Sequence, residues 1–436
     1  MSAMLFKNAR LVNGQGFDGK DVCIVTDGAY IKYVGEEKDL PQTDNAYSEI
    51  IDCGHNLVIP AFCNAHGHPA MSVFRSYGED MPLDKWLFEK IFPAEDKMDN
   101  DLAHTAVMLS LAEMIRNGTA SFSDMYMFSE QTVLSAVGCG MKANVSRGIS
   151  SFDPNEDPAE SHRVKETLAL YEKYNGACDG RIIVDFSIHG EYTNTERMCR
   201  YMAELAGKYN TGLQIHLSET DGENADCFER HGMSPTAFFD RCGVFENRTA
   251  AAHCIWMSED DLDIIERKSV FVIHNPVSNL KLGSGVMPLK KMLERNICVA
   301  LGTDGASSNN TQSVLKELQY AALIHRGISN VADLFSASTF LPLATENGYK
   351  AQGREKCGKI VPGYHADLTM IDLHNSHNYP CHDPESALCY TAENSDVLMT
   401  VADGKILYYK GEYRTLDIER VMYDAGHDFD RFFSRL

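Results

Sequence analysis

Short apolar runs alternate with helical patterns through the middle of this chain, and several of the runs end in a histidine or an acidic residue. The runs are Val58–Asn64, Thr119–Met125, Lys142–Ser146, Ile182–His189, Gly212–His216, Thr249–His253, Val270–His274 and Ile297–Asp304. Helical patterns lie between them at Asp101–Asn117, Ala159–Tyr174, Thr195–Tyr209, Met233–Cys242, Met287–Arg295 and Thr311–His325. Eight strands alternating with helices predict an α/β chain and, at this number, a (β/α)8 TIM barrel.

The two ends of the chain read differently. Asp21–Val25 and Tyr30–Val34 flank Asp27-Gly28, and Val397–Val401 and Lys405–Tyr409 flank Asp403-Gly404. Both are hairpin signals. Gly363 to Asp372 reads as a turn followed by a strand. The expected organisation is a small β-sandwich built from residues 1–58 and 357–415, with the barrel, 59–356, inserted between them. Residues 416–436 form a charged and aromatic tail with a helical pattern, expected to pack on the domain or on a second subunit.

Composition narrows the classes of partner. The formal net charge of −22 disfavours a nucleic-acid backbone or an anionic membrane surface. No apolar run reaches the ~18–20 residues of a membrane span. The 13 cysteines are scattered, with no Cys-x-x-Cys, as expected of reduced thiols in a cytoplasmic protein.

The strand ends carry the chemistry. Leu57 to Pro69 is an apolar run ending in His66-Gly67-His68. Residues two apart on a strand share a face, so both imidazoles point to one side. A His-x-His of this kind also occurs as ordinary surface or hydrogen-bonded histidine. Other runs end at His216, His253, His274 and Asp304, however, and parallel barrel strands gather their C-terminal ends on one rim. His66, His68, His216 and Asp304 make a set of three imidazoles and one carboxylate suited to Zn²⁺ or Fe²⁺, with a position left for water. A divalent cation there would lower the pKa of that water toward ~7. Glu219, three residues past His216, is placed to handle the proton, and His253 to orient the nucleophile. His189-Gly190-Glu191 lacks the following Pro-Cys-x-x-Cys of the zinc nucleobase deaminases, so His189 is expected to line the pocket instead.

These pieces together resemble the amidohydrolase superfamily, and within it the aminohydrolases that include S-adenosylhomocysteine and 5′-methylthioadenosine deaminases. The resemblance runs through Pro60 to His68, Arg75-x-x-x-Glu79-Asp80-x-Pro82-Leu83-x-x-Trp86-Leu87 and Phe92-Pro93-Ala94-Glu95. It continues through His216-x-x-Glu219-Thr220, His274-Asn275-Pro276-x-Ser278-Asn279-x-Lys281-Leu282 and Leu301-Gly302-Thr303-Asp304-Gly305-x-x-Ser308-Asn309-Asn310. Gly358-Lys359-Ile360-x-Pro362-Gly363-x-x-Ala366-Asp367-Leu368 closes it.

The resemblance implies one divalent metal per subunit, zinc foremost with iron or manganese as alternatives, held by His66, His68, His216 and Asp304. It implies Glu219, His253 and Asp304 as catalytic groups and attack of an activated hydroxide on C6 of an adenine ring, releasing ammonia. Trp86 would pack on the purine, while Glu95 and His189 would contact the ribose. Arg147 and Arg163 would meet the carboxylate of a 5′-amino-acid substituent. The expected substrate is a purine nucleoside: 5′-methylthioadenosine, S-adenosylhomocysteine, 5′-deoxyadenosine or adenosine. Another amino-heterocycle, such as guanine or an s-triazine, is the second expectation, and a non-catalytic structural barrel the third. A homo-oligomer is compatible with all three. Two departures from the family pattern carry expectations of their own. Gly67, where Thr or Val is more usual, predicts looser packing at the motif, and Glu191 predicts a negative charge close to any substrate carboxylate.

Overall fold

The computed structural model of the protein describes residues 3–13, 19–41 and 47–436. Both chain ends enter one sheet of nine strands. Its spatial order is Glu412–Tyr413, Lys405–Tyr409, Val397–Ala402, Leu368–Ile371, Leu57–Pro60, Ala3–Leu11, Asp21–Asp27 and Tyr30–Gly35, with Glu49–Asp52 also paired to Ala3–Leu11. Leu57–Pro60 joins the two arms, antiparallel to Leu368–Ile371 on one side and parallel to Arg10 and Leu11 on the other. The strand pairing is therefore continuous, where a sandwich of two sheets is the sequence expectation. The apolar faces of both arms nevertheless share one core, with Phe6, Ile24 and Ile31 from one end and Met399, Val401 and Ile406 from the other.

The two hairpins meet at their tips. Asp403 and Gly404 form a two-residue turn with φ of 48° and 70°, the doubly positive geometry that Asp-Gly favours. A Cβ on Gly404 would lie 2.0 Å from the carbonyl oxygen of Gly28, so only glycine lets the turns touch.

The middle of the chain forms parallel strands with helices packed against them. One ladder runs Ile182–Val184, Lys142–Arg147, Thr119–Tyr126 and Phe62–Asn64. The other runs Phe186–Ile188, Leu213–Leu217, Thr249–His253, Phe271–His274 and Val299–Leu301. A short pair, Gly67–His68 with Asp304–Gly305, lies between their outer edges.

Two expected strands are broken, each for a physical reason. The run Val58–Asn64 divides at Ala61, because Leu57–Pro60 belongs to the nine-stranded sheet and Phe62–Asn64 to the parallel ladder. The run Ile182–His189 divides at Asp185, a buried carboxylate that accepts hydrogen bonds from Arg248 (2.6 Å), Asn144 (2.9 Å) and the Gly212 amide (2.9 Å). A carboxylate inside a strand must collect such donors, and turning toward them interrupts the regular pairing.

Lys142 fastens the parallel strands to the nine-stranded sheet. It is buried at the start of its strand, with Nζ 2.5 Å from Asp367 and 2.6 Å from Asp403. Asp403 also lies 2.6 Å from His365 Nδ1. Burial pushes the Asp403 carboxyl up, but the bond to His365 and the Lys142 ammonium outweigh it and hold the group at about 2. The tail helix Ile418–Phe433 packs on the chain's own helix Asn100–Arg116, where Thr105 donates to Asp428 at 2.8 Å.

Removing one partner of a buried ion cluster leaves its counter-charges unpaired. Lys142→Met is expected to lose about 3–5 kcal/mol in urea denaturation. In wild type the Asp403 contribution is complete above the ordinary carboxyl value of 3.8 and is lost as pH falls through about 2, so the acid limb of the stability curve should lie in that window.

A candidate active site at the strand ends

Parallel register brings the marked residues to one rim. His216 lies opposite Ala252 and Leu217 opposite His253 on adjacent strands, while Asp304 pairs with Gly67 between the two histidines of the His-x-His motif. His253 and Asp304 both adopt the left-handed region, with φ of 75° and 60°. That conformation is rare outside glycine and occurs where the surrounding structure over-determines it, as at functional sites.

Ligand atoms of His66, His68 and His216 lie within 4.8 Å of one another, as do those of His66, His253 and Asp304. Outer partners aim the rings. His68 Nδ1 lies 2.7 Å from the carbonyl of Met125, and His216 Nδ1 lies 2.6 Å from the carbonyl of His189. A carbonyl only accepts, so each Nδ1 carries the proton and each Nε2 lone pair is left facing the centre. His66 Nε2 is buried with no hydrogen-bond partner. An orphaned buried nitrogen among other ring nitrogens is what a metal ligand looks like before its ion is added, so this donor set fits a divalent cation.

The electrostatics of His66 and His216 agree with that fit. Burial pushes His66 down to about 4 and His216 further below the ordinary histidine value, keeping both in the neutral form that ligates. Burial works against a charged His68 too, but there the Asp304 carboxylate prevails and raises it. Asp304 Oδ1 lies 3.2 Å from His68 Nε2 and 3.7 Å from His66 Nε2. Burial alone would raise Asp304, yet these two histidines hold it well below the carboxylate range. Its other oxygen accepts from Ser278 at 2.6 Å and from Ser308 at 2.9 Å.

Glu219 is buried beside this cluster. Its Oε2 lies 3.7 Å from His253 Nε2, and Ser284 donates to its Oε1 at 3.3 Å. Burial raises its pKa. The next helix holds it in place. Thr220 caps the Glu223 amide at 3.0 Å, and Glu223 reaches back to accept from the Ser218 and Glu219 amides at 3.0 and 2.7 Å. His253 Nδ1 is 2.8 Å from the side-chain oxygen of Asn279, which fixes the ring orientation.

His68, His216, Glu219, His253 and Asp304 open on one cavity of about 410 Å³. Its lining includes every residue assigned to substrate by the sequence: Trp86, Glu95, Arg147, Arg163, His189 and Glu219. Glu95 is buried and accepts a hydrogen bond from Tyr126 Oη. His189 Nδ1 lies 3.1 Å from Thr193 Oγ1. His274, by contrast, turns away from the cavity and lies against His325, Nε2 to Nε2, at 3.1 Å.

Two sequence expectations are corrected. Glu191 is absent from the cavity wall; it is 1% exposed and bound to Arg230 (2.6 Å) and His231 (2.9 Å). Its charge is spent on those partners and does not oppose an anionic substrate. Gly67 is closely packed, since a Cβ there would lie 3.3 Å from the Asp304 carbonyl and 3.4 Å from Asn64 Nδ2.

Residues 57–407 match the amidohydrolase family, and the chain belongs to it. It is a hydrolase of C–N bonds whose family and histidine–aspartate cluster call for a divalent metal. A 5-methylthioadenosine/S-adenosylhomocysteine deaminase of Acetivibrio thermocellus is 37% identical over 428 residues, 97% of each chain. A 5′-deoxyadenosine deaminase of Methanobrevibacter smithii is 34% identical over 96% of each. Among solved structures, a zinc-bound adenosine deaminase of Xanthomonas campestris superposes with a TM-score of 0.92 at 26% identity, covering 99% of this chain and 98% of that one.

Outer partners of metal ligands tune affinity as well as orientation. Ser278→Ala removes the shorter of the two hydrogen bonds to one Asp304 oxygen and is expected to weaken metal binding by ~10–100-fold, measured by competition with a chromogenic chelator.

Proposed function

We propose that this protein hydrolytically deaminates 5′-modified adenosines, among them 5′-methylthioadenosine, S-adenosylhomocysteine and 5′-deoxyadenosine, to the inosine analogue and ammonia. The observation that carries the reading is the single cavity in which a metal-ligating cluster, a buried carboxyl and the side chains suited to a nucleoside come together. The named relatives at 37% and 34% identity act on such nucleosides, by their names.

In this reading His66, His68, His216 and Asp304 hold one divalent ion, zinc by analogy with the Xanthomonas structure. That ion supplies Lewis-acid activation of water at neutral pH. Glu219 takes a proton from the attacking water and delivers it to the purine ring as C6 becomes tetrahedral. His253, held by Asn279, and Asp304, held by Ser278 and Ser308, orient the nucleophile toward C6. As the C6–amino bond breaks, the remaining proton of the attacking water passes from the C6 hydroxyl to the departing amino group, which releases ammonia and leaves a C6 carbonyl. Trp86 packs on the purine, Glu95 and His189 take the ribose hydroxyls, and Arg147 and Arg163 receive a 5′-carboxylate where there is one.

The same reading takes residues 59–356 as a (β/α)8 barrel, residues 1–58 and 357–415 as a β-sandwich, and 416–436 as a helical tail. Thirteen cysteines without a disulfide suit a reducing cytoplasm. A guanine deaminase of C. acetobutylicum at 26% identity and a TM-score of 0.83 keeps a free-base substrate as the second reading. A bare ring would leave Glu95, Arg147 and Arg163 without ligands, which favours the nucleoside.

The test is ultraviolet absorbance during incubation with the adenine nucleosides and, separately, with adenine and guanine. Conversion of adenosines to inosines is expected. Turnover of free bases alone would move the assignment to the second reading. Glu219→Gln is expected to retain its metal by elemental analysis and to lose ~10²–10⁴ in kcat; a near-normal rate would remove Glu219 from proton transfer.

A further inference from the structure

Arg147 stands on the wall between two cavities. It lines the site cavity and also an adjoining one lined by Glu130, Glu166, Lys173 and Tyr174. Glu166, from the helix His162–Tyr174, lines only the second. Arg147 Nε donates to Glu166 Oε2 at 2.9 Å, and Nη1 donates to the Gly148 carbonyl. The pair is lopsided: the Arg147 side chain is 14% exposed and that of Glu166 54%. Two lysines of the helix are engaged elsewhere, Lys165 with Glu160 at 2.6 Å and Lys173 with Glu130 at 2.7 Å, while Arg163 lines the site cavity beside Arg147.

We propose that Glu166 is a specificity-determining residue: it occupies Arg147 until a 5′-substituent bearing its own carboxylate displaces it, and so biases the enzyme toward neutral 5′-groups. This rests on the deaminase reading and on its placing of the 5′-end at Arg147. The exchange replaces one carboxylate by another on the same guanidinium. An ion pair with one half-exposed member is weak, so it yields to a competing anion. The adjoining cavity gives the released Glu166 side chain room to withdraw. If it stays, two carboxylates share one guanidinium and repel each other. A neutral substituent such as a methylthio group meets no competitor, because it has nothing to offer Arg147.

The experiment compares kcat/KM for S-adenosylhomocysteine and 5′-methylthioadenosine, each with the metal-loaded enzyme, for wild type, Glu166→Gln, Arg147→Met and the double variant. Glu166→Gln keeps the side-chain shape and removes the charge. It should raise the ratio of S-adenosylhomocysteine to 5′-methylthioadenosine efficiency by about 2- to 5-fold, the range expected for breaking a weak ion pair. The gain should fall mainly in KM, and it should vanish in the Arg147→Met background, where there is no guanidinium to compete for. A Glu166→Gln enzyme whose two efficiencies move together, or not at all, overturns the proposal. So does an altered ratio that persists without Arg147. Failure of the wild type to turn over either nucleoside instead removes the deaminase reading, and the proposal with it.

Discussion

The site depends on the register of parallel pairing. Each parallel strand delivers its carboxyl end to the same rim, and pairing Asp304 with Gly67 sets the aspartate between His66 and His68. A slip of one residue would turn each side chain to the opposite face, sending the imidazoles away from one another. Gly67 helps to fix that register: its neighbours leave little room for a side chain between Asp304 and Asn64. The left-handed backbone at His253 and Asp304 then aims two side chains that a regular extended strand would point elsewhere.

Around this rim, buried charge is handled in two ways. Charges with a structural task are paired in full, as Lys142 is with Asp367 and Asp403, Asp185 with Arg248, and Glu191 with Arg230 and His231. Two groups with a chemical task are left short of partners. His66 Nε2 has none, and the nearest base to Glu219 is His253 at 3.7 Å. An unsatisfied buried nitrogen is costly, and one set among the ring nitrogens of neighbouring histidines is where an ion would be held.

Much of this was legible in the residues alone. The hairpins at Gly28 and Gly404 follow from turn chemistry, and most parallel strands from apolar runs bounded by helical patterns. The metal-ligand candidates were legible because strand ends are where a parallel fold collects function. Other features depend on partners far away in sequence. Asp185 reads as one polar residue in a strand until Arg248 is seen beside it, and Glu191 reads as a loose charge until Arg230 and His231 claim it. The helices Asp221–His231 and Glu259–Lys268 are rich in charge and carry few apolar residues, though Thr220 with Glu223 and Ser258 with Asp261 mark their starts. Tyr126, Ser278, Ser308 and Asn279 stand on or beside residues that were legible, but their tasks of holding Glu95, Asp304 and His253 require knowing which strands are neighbours.

The nine-stranded sheet has a consequence for how the molecule comes into being. Leu57–Pro60 waits for Leu368–Ile371, and the Gly28 turn waits for Gly404, so the first strands made find their partners only when the last are available. On the ribosome the N-terminal hairpin must persist with part of its apolar face uncovered while some three hundred residues are added. Contacts of such sequence separation form slowly, and uncovered strand edges invite association with other chains. Completion of the sheet is therefore a late event, and truncation of the C-terminal strands would expose Phe6, Ile24 and Ile31 on a sheet that has lost half its core.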